Sequence, residues 1–184
     1  MTRFYTKKGD DGYTSLLGRG RVPKYDRRIE TVGAIDEANA AIALARTMSK
    51  APQTSAILIE VQHDLYQLMA EVAATPEDAA KFRKITVDKV AWLESHTDDL
   101  SARVTIPEEF IISGDSIAGA AIDLARTIVR RAERHIAHLL HLKKLENPEL
   151  LHYMNRLSSL LFVLELVENQ TAGIIYPTLA KNNP

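Results

Sequence analysis

Two stretches of the chain combine residue types that bind polyphosphates. The first, residues 6 to 15, contains glycines, lysines and Ser/Thr hydroxyls, and Arg19, Arg21 and Lys24 follow it. Glycines let backbone N–H groups approach an anion closely, hydroxyls add donors, and lysines supply charge. This composition favours a polyphosphate-binding loop. The Walker pattern is absent, however, and a plain basic terminus has the same composition.

The second stretch is a stripe of arginines. Arg126, Arg130 and Arg134 are spaced four residues apart, so they lie on one face of a helix, with Arg131 and Glu133 beside them. A solvated helix face accounts for this pattern, but so many arginines repel one another unless a polyanion or partner carboxylates neutralise them. Candidate partners on an earlier helix are Asp36, Glu37 and Asn39.

A polar pair interrupts an apolar segment near the carboxyl end of the chain. Asn155 and Arg156 lie among the leucines of residues 150 to 164. A buried polar group without a partner is costly, so both side chains need solvent or a partner. The pair therefore either reaches the surface or projects donors into a site.

The overall charge hides these two basic stretches. The 184 residues include 23 Lys and Arg against 24 Asp and Glu, for a net charge of −1. Residues 1 to 28 alone carry +5 and residues 126 to 134 carry +3, which leaves −9 for the rest. Aromatic residues are only 6% of the chain, and this scarcity, with the acidic remainder, argues against a nucleic-acid binder. Zero cysteines exclude thiolate, iron–sulfur and Cys-ligated zinc chemistry.

Hydrophobic periodicity predicts an all-α fold, a five-helix antiparallel bundle preceded by an irregular glycine-rich arm. One domain covers residues 1–184, divided into an arm (1–24), a bundle (25–170) and a tail (171–184). No strand pattern competes with the helices. Their predicted ranges are 25–49, 52 to before 75, about 86 to before 107, 114–141, and about 148 to 168, the last beginning at Asn147-Pro148-Glu149.

Membrane and targeting segments are not expected. The longest uninterrupted apolar runs, such as Ala40 to Ala45, reach about six residues, well short of the roughly 18 of a membrane span. The amino terminus lacks the apolar core of a signal peptide. We therefore expect a cytoplasmic protein.

A rival hypothesis is a di-iron carboxylate bundle. Glu60 and His63, and likewise Glu149 and His152, form two Glu-x-x-His pairs on separate predicted helices. Glu149, however, lies in the first turn of its helix, where an acid is explained by the helix dipole. Such short pairs also arise easily by chance in a chain with 24 acids and six His.

Taken together, these segments resemble the ATP:cob(I)alamin adenosyltransferases of the propanediol-utilisation type. The resemblance covers most of the chain and is carried by five ordered blocks, which are more specific together than any one alone. The blocks are Thr6-Lys7-x-Gly9-Asp10-x-Gly12-x-Thr14-Ser15-Leu16, Arg21-Val22-Pro23-Lys24, Gly33-x-x-Asp36-Glu37-x-Asn39, Ala125-Arg126-Thr127-x-x-Arg130-Arg131-Ala132-Glu133-Arg134 and Tyr153-x-Asn155-Arg156-Leu157.

The resemblance implies a homotrimer with active sites between subunits, where ATP with Mg²⁺ donates its 5′-deoxyadenosyl group to the cobalt of cobalamin. It implies Mg²⁺ held mainly by the phosphates rather than by a side-chain cluster. A corrinoid reductase and an adenosylcobalamin-dependent acceptor enzyme are the further partners it suggests, with no nucleic acid and no membrane.

The resemblance also assigns residues. Phe110 would face the corrin and displace its axial ligand, Asp36 and Arg126 would pair between subunits, and Arg130 would act on the triphosphate. The implied ATP-binding set is Thr6, Lys7, Lys8, Gly9, Asp10, Asp11, Gly12, Tyr13, Thr14, Ser15, Lys24, Arg130, Arg131, Glu133, Arg134 and Asn155.

Three places depart from the family pattern. A Pro-Gly-Gly turn usually follows the Phe110 position, whereas this chain has Ser113-Gly114-Asp115. A common His three residues before Arg126 is Asp123 here, and Arg19-Gly20 replaces a more usual Gly-Glu or Gly-Gly. The first two departures lie on the expected corrin side.

Overall fold

The computed structural model describes residues 5–181, so the first four residues of the predicted arm and the last three of the predicted tail lie outside it. The prediction of an all-α bundle with five long helices is confirmed. A two-stranded sheet and a one-turn helix add to it. In chain order the elements are β1 (Tyr13–Ser15), β2 (Arg21–Pro23), α1 (Arg27–Met48), α2 (Pro52–Ala73), α3 (Ala79–Phe82), α4 (Val87–Ser101), α5 (Ile117–His141) and α6 (Glu149–Thr171).

The long helices form a bundle in which consecutive members run antiparallel. Helix α1 packs between α2 and α5, α6 packs on the other side of α5, and α4 packs on α6. Helices α4 and α6 run in the same direction. Arg156 donates to Glu94 at 2.8 Å, and Val167 lies near Leu100 further along both helices. The predicted antiparallel arrangement therefore applies to helices that follow one another in sequence.

Local capping explains where α5 and α6 begin. Gly114 has a φ of 125°, and the Ser116 hydroxyl accepts a hydrogen bond from the Gly119 N–H at 3.0 Å, so α5 starts three residues later than predicted. The side chain of Asn147 accepts from the Glu149 N–H at 3.1 Å, but the N-cap of α6 is Pro148, so the predicted cap residue lies one position before the N-cap. The proline between these two residues precedes the first helical residue rather than occupying it.

Helix α6 is the central helix of the core. Fourteen of its residues are buried, and Leu157, Leu160 and Leu161 are fully so. By length and mean hydropathy this helix could cross a membrane. The uninterrupted apolar runs of the sequence are too short to indicate this. Because 67% of its most apolar window is covered by the other helices, the role of core helix accounts for its composition.

A buried polar network joins three helices across this core. The Tyr153 hydroxyl donates to Asp64 at 3.1 Å, and Lys89 forms an ion pair with the other oxygen of the same carboxylate at 2.7 Å. Burial and the adjacent carboxylate raise the pKa of Tyr153 well above its ordinary value. The network sets the register of α2, α4 and α6, because a buried carboxylate without both partners would be costly.

The guanidinium of Arg28 joins the ends of three helices. It is 6% exposed, and it donates to the Val72 carbonyl at 2.7 Å and to the Lys144 carbonyl at 2.6 Å. Carbonyls at helix ends have no partner within their own helix. Burial lowers the pKa of Arg28, while the charge of Asp26 opposes that shift. Arg28 therefore fastens the start of α1 to the end of α2 and to the loop after α5.

We predict that Arg28→Met lowers the free energy of unfolding by about 3 kcal/mol, because two charge-assisted hydrogen bonds are lost and two carbonyls lose their donors. Urea denaturation followed by circular dichroism measures this change. The matched control is Arg103→Met, an exposed arginine after α4, which should leave stability within about 0.5 kcal/mol of the original. Equal stability of both variants would contradict the role given to Arg28.

Candidate active site

The amino-terminal arm contains a short hairpin rather than irregular chain alone. Strands β1 and β2 pair antiparallel, with Tyr13 opposite Pro23, and the Lys24 N–H donates to the Gly12 carbonyl at 2.9 Å. Gly12 has a φ of 81°, a conformation in which glycine is favoured. The arm that the sequence predicts as irregular therefore contains a small two-stranded sheet. Strands of three residues are too short to show an alternating pattern in the sequence.

Arg21 is the internal tie of the arm. Its guanidinium binds both carboxylate oxygens of Asp11, at 2.7 and 2.8 Å, and also donates to the Lys8 carbonyl at 2.6 Å. The hydrogen bond from Arg21 holds the pKa of Asp11 below its usual value. Asp11 is thus occupied by a protein cation, which favours a role in shaping the arm over direct contact with a phosphate.

The arm lines an open cavity of about 750 Å³. Lys8 and Lys24 make it basic, and Gly9 leaves room for Lys24, since a Cβ there would lie 3.1 Å from the lysine Nζ. Of the predicted ATP-binding residues in the arm, Lys7, Asp10, Asp11 and Gly12 do not line this cavity. The lining residues are Thr6, Lys8, Gly9, Tyr13, Thr14, Ser15, Arg21 and Lys24.

Two hydrogen bonds fasten the arm to the bundle. Leu17 donates to the Ala73 carbonyl at 2.9 Å, and its own carbonyl accepts from the Thr75 N–H at 2.9 Å. Gly18 follows with a φ of 128°, and a Cβ there would come within 2.6 Å of the Thr75 hydroxyl. The arm therefore has a fixed attachment at the end of α2, next to the helix ends that Arg28 joins.

The predicted arginine stripe lies along α5 as expected, but its members differ in their contacts. Arg130 is exposed, and its side chain forms no hydrogen bond or ion pair within residues 5–181. Arg134 is also exposed and donates to the Arg130 carbonyl at 2.9 Å. Arg131 forms an ion pair with Glu37, and Glu133 accepts a hydrogen bond from Asn155. Arg130 and Arg134 are thus the members most open to a ligand.

Asn155 and Arg156 find partners within the chain. Asn155 donates to Glu133 at 2.9 Å and accepts from Arg156 at 2.8 Å, while Arg156 also binds Glu94. Both side chains are part-buried. Their exposure is thus intermediate between the two alternatives from the sequence, which were a position at the surface and a position inside a site. This chain of contacts crosses from α5 through α6 to α4.

Within a single chain, the arm cavity and the arginine stripe do not share one lining. No residue of α5 is among the described residues around the arm cavity. A contact of 2.9 Å joins Arg27, three residues after Lys24, to His138, one turn beyond Arg134. One chain therefore presents two separate basic surfaces.

A second cavity, of about 440 Å³, opens beside Phe110. The Phe110 side chain is 89% exposed, which is unusual for so large an apolar group. Arg126 lines the same cavity and is bound to Asp123 of its own helix at 2.6 Å. Asp36 lies exposed on α1 and has no ion pair within residues 5–181. The pairing of Asp36 with Arg126 between subunits stays a prediction.

The segment after α6 returns to brace the Phe110 loop. Ile112 donates to the Thr178 carbonyl at 2.8 Å, and Ala180 donates to the Phe110 carbonyl at 2.7 Å. The carboxylate of Asp115 accepts from both the backbone and the hydroxyl of Thr178, at 2.9 and 2.7 Å. The sequence assigned this tail no role, because a pairing between segments so far apart leaves no local pattern.

Glu165 is a buried carboxyl that sequence reasoning missed. It is 1% exposed on α6 and lines the Phe110 cavity. Burial raises the pKa of Glu165 to about 7; the nearby charges of Asp123 and Asp115 add to that shift, and Ser113 and Arg126 oppose it. The sequence signal is one acid within an otherwise apolar run.

The di-iron alternative finds no support. The two Glu-x-x-His pairs lie apart, with His63 69% exposed on α2 and His152 50% exposed at the start of α6. Among residues 5–181, no group of three His, Cys, Asp or Glu side chains comes close enough to bind one metal ion.

The helical bundle of this chain has the same fold as a solved PduO-type ATP:corrinoid adenosyltransferase. The sequence model of a family described as cobalamin adenosyltransferase matches residues 4–168. This chain belongs to the cobalamin adenosyltransferase family.

Individual relatives agree with the family assignment. A corrinoid adenosyltransferase of Bacillus subtilis is 36% identical over 94% of this chain and 89% of its own length. The corrinoid adenosyltransferase PduO of Citrobacter freundii is 37% identical over 91% of this chain and half of its own length. A solved variant of the PduO-type ATP:corrinoid adenosyltransferase from Lactobacillus reuteri, complexed with cobalamin and ATP, superposes with a TM-score of 0.89. It is 29% identical and covers 98% of this chain and 100% of its own.

Proposed function

We propose that this protein transfers the 5′-deoxyadenosyl group of ATP to the cobalt of a reduced corrinoid, forming adenosylcobalamin and releasing triphosphate. The observation that carries the proposal is the likeness, over nearly the whole chain, to an adenosyltransferase solved with cobalamin and ATP. The basic arm cavity and the separate Phe110 cavity give each of the two substrates a surface of suitable character.

The chemistry needs no nucleophile from the protein. The electron pair of Co(I) attacks the ribose 5′ carbon of ATP, a Co–C bond forms, and the C–O bond breaks with its electron pair leaving on triphosphate. The protein must align cobalt and carbon and stabilise the charge that develops on the leaving group. Lys8 and Lys24 of the arm, with Arg130 and Arg134, supply that positive charge in this proposal.

Magnesium would bind mainly through the phosphates of ATP. The donor set of the arm fits that arrangement, because Asp11 is bound by Arg21 and the cavity is lined by hydroxyls, lysines, an arginine and a glycine, which suit phosphate oxygens. When bound, Mg²⁺ neutralises phosphate charge. The chain itself contributes the lysines and hydroxyls that orient the triphosphate in the arm.

Assembly as a homotrimer would complete the site. In one chain the arm cavity lacks α5, and exposed apolar side chains follow the face formed by α1 and α5. The contact of Glu37 with Arg131 places Leu44, 48% exposed, opposite the region of Leu124, 52% exposed. A neighbouring chain that covers this face would bring its arm to Arg130 and neutralise the stripe with triphosphate.

We predict a trimer in solution, because burial of the face of α1 and α5 would remove these apolar side chains from water. Light scattering coupled to size-exclusion chromatography measures the molar mass. Leu124→Glu should shift the mass to that of one chain, whereas Tyr66→Glu, an exposed apolar position on α2, should not. A monomeric original protein that is fully active would contradict the proposed assembly.

A cytoplasmic location, a corrinoid reductase that delivers electrons and an acceptor enzyme that uses adenosylcobalamin complete the proposal. The two partner enzymes follow from the reaction, since Co(I) must be generated by reduction and the product is itself a cofactor.

The decisive experiment is anaerobic incubation with ATP, Mg²⁺ and chemically reduced cobalamin, followed by absorption spectroscopy. The spectrum should change to that of adenosylcobalamin. A folded trimer that produces no change would contradict the proposal. A single-turnover measurement set beside a binding measurement distinguishes an enzyme from a protein that only binds ATP or a corrinoid.

We predict that Arg130→Ala lowers kcat for adenosylation by 100-fold or more, because one donor to the developing triphosphate charge is lost. Steady-state rates with reduced cobalamin and varied ATP measure the effect. Arg103→Ala removes an exposed arginine outside both cavities and should keep the original kcat. If Arg130→Ala also keeps it, Arg130 does not contact the triphosphate.

We predict that Phe110→Ala slows the reaction far more when it starts from Co(II) than when Co(I) is supplied. The exposed ring would crowd the corrin and displace the axial ligand, which makes reduction of cobalt easier. Rates from both oxidation states measure this difference, with Tyr66→Ala as the control for loss of an exposed aromatic. Equal slowing from both states would assign Phe110 to binding alone.

A further inference from the structure

One buried carboxyl has no part in the proposed transfer. Glu165 lines the Phe110 cavity, is 1% exposed, and its Oε1 accepts no hydrogen bond from any other group in residues 5–181. An unsatisfied buried acceptor is costly, so natural structures keep such a group chiefly where a ligand or water supplies the missing donor.

The charges around the cavity leave Glu165 without a cation of its own. Arg126 is the one basic residue among the described lining residues, and its guanidinium binds Asp123 at 2.6 Å through both Nε and Nη2. Glu108 and Glu109 add further negative charge. A ligand group that enters here meets two inner carboxyls and a single guanidinium, so donors are favoured and anions are disfavoured.

Apart from the hydroxyl of Ser113, the remaining walls are apolar, and the space is limited. Phe110, Phe162, Pro107 and Ile111 line the cavity, whose volume of about 440 Å³ is far smaller than a whole corrinoid. It accommodates a side chain from the edge of the ring. Corrins carry primary carboxamides around that edge, and each carboxamide has two N–H donors and one carbonyl acceptor.

We propose that this cavity receives a carboxamide side chain of the corrin, with Glu165 and Asp123 as specificity-determining residues that favour amidated corrinoids over those with a free carboxylate at that position. The inference rests on the proposed function, because it takes Phe110 as the residue that faces the corrin. A raised Glu165 pKa, about 7, lets this carboxyl donate as well as accept near neutral pH.

The test compares cobalamin with its separated monocarboxylic acids, in which one carboxamide is hydrolysed. Binding of each in the Co(II) state to the ATP-loaded protein is measured by calorimetry at pH 8. At least one acid should bind about tenfold or more weakly than cobalamin, because its carboxylate meets the two inner carboxyls. Glu165→Leu should reduce that ratio to about twofold, and Glu77→Leu, an exposed glutamate, should leave it unchanged.

Two isosteric variants serve as controls for the possibility that Glu165→Leu does not fold. Glu165→Gln and Asp123→Asn keep the shape of the cavity, and each should retain cobalamin affinity within about threefold while binding the acid more tightly than the original does. Unchanged ratios in all three variants, or an original protein that does not discriminate between amide and acid, would overturn the inference. An original protein that neither binds nor adenosylates cobalamin would instead overturn the proposed function.

Discussion

The buried guanidinium of Arg28 lies where the parts that frame the arm come together. It binds the Val72 carbonyl at the end of α2, and the next carbonyl along, that of Ala73, accepts from Leu17 of the arm. Its other branch binds the Lys144 carbonyl just after α5, the helix that carries the arginine stripe. One side chain thus fixes the start of α1, the attachment of the arm and the end of α5 relative to one another.

The charge pattern of the sequence indicated where the basic surfaces lie, but it did not indicate which basic side chains face a cavity and which bind groups of the protein itself. Of the positive charges in residues 1 to 28, Arg28 points inward and Arg21 is neutralised by Asp11, so the charge on the arm cavity comes chiefly from Lys8 and Lys24. The residue types show that a segment is basic, but they do not show which of its side chains face a cavity. The direction of each side chain depends on carbonyls and carboxylates distant in sequence, which periodicity does not report.

The first four long helices were predictable because each buries a periodic apolar face, and α6 was predictable because it is apolar nearly all round, with Asn147-Pro148-Glu149 marking its start. The buried acids of α6 were not predictable in the same way. Glu168 accepts from the Lys50 and Ala51 N–H groups before α2, and Glu165 faces a cavity, yet both read as isolated acids in an apolar helix. Their environments are created by loops and helices that meet only in the folded bundle.

The brace between Thr178 and the Phe110 loop has a consequence for the order of assembly during synthesis. Asp115 and Thr178 are separated in sequence by α5 and α6. A contact between residues so far apart closes a long loop, which costs conformational entropy, so this contact forms late in folding. The ribosome makes residues 178 to 180 after all five long helices. The arm can therefore dock on α2 early, whereas the loop beside the Phe110 cavity acquires its brace only after residues 178 to 180 have emerged, so this cavity reaches its final form later than the arm.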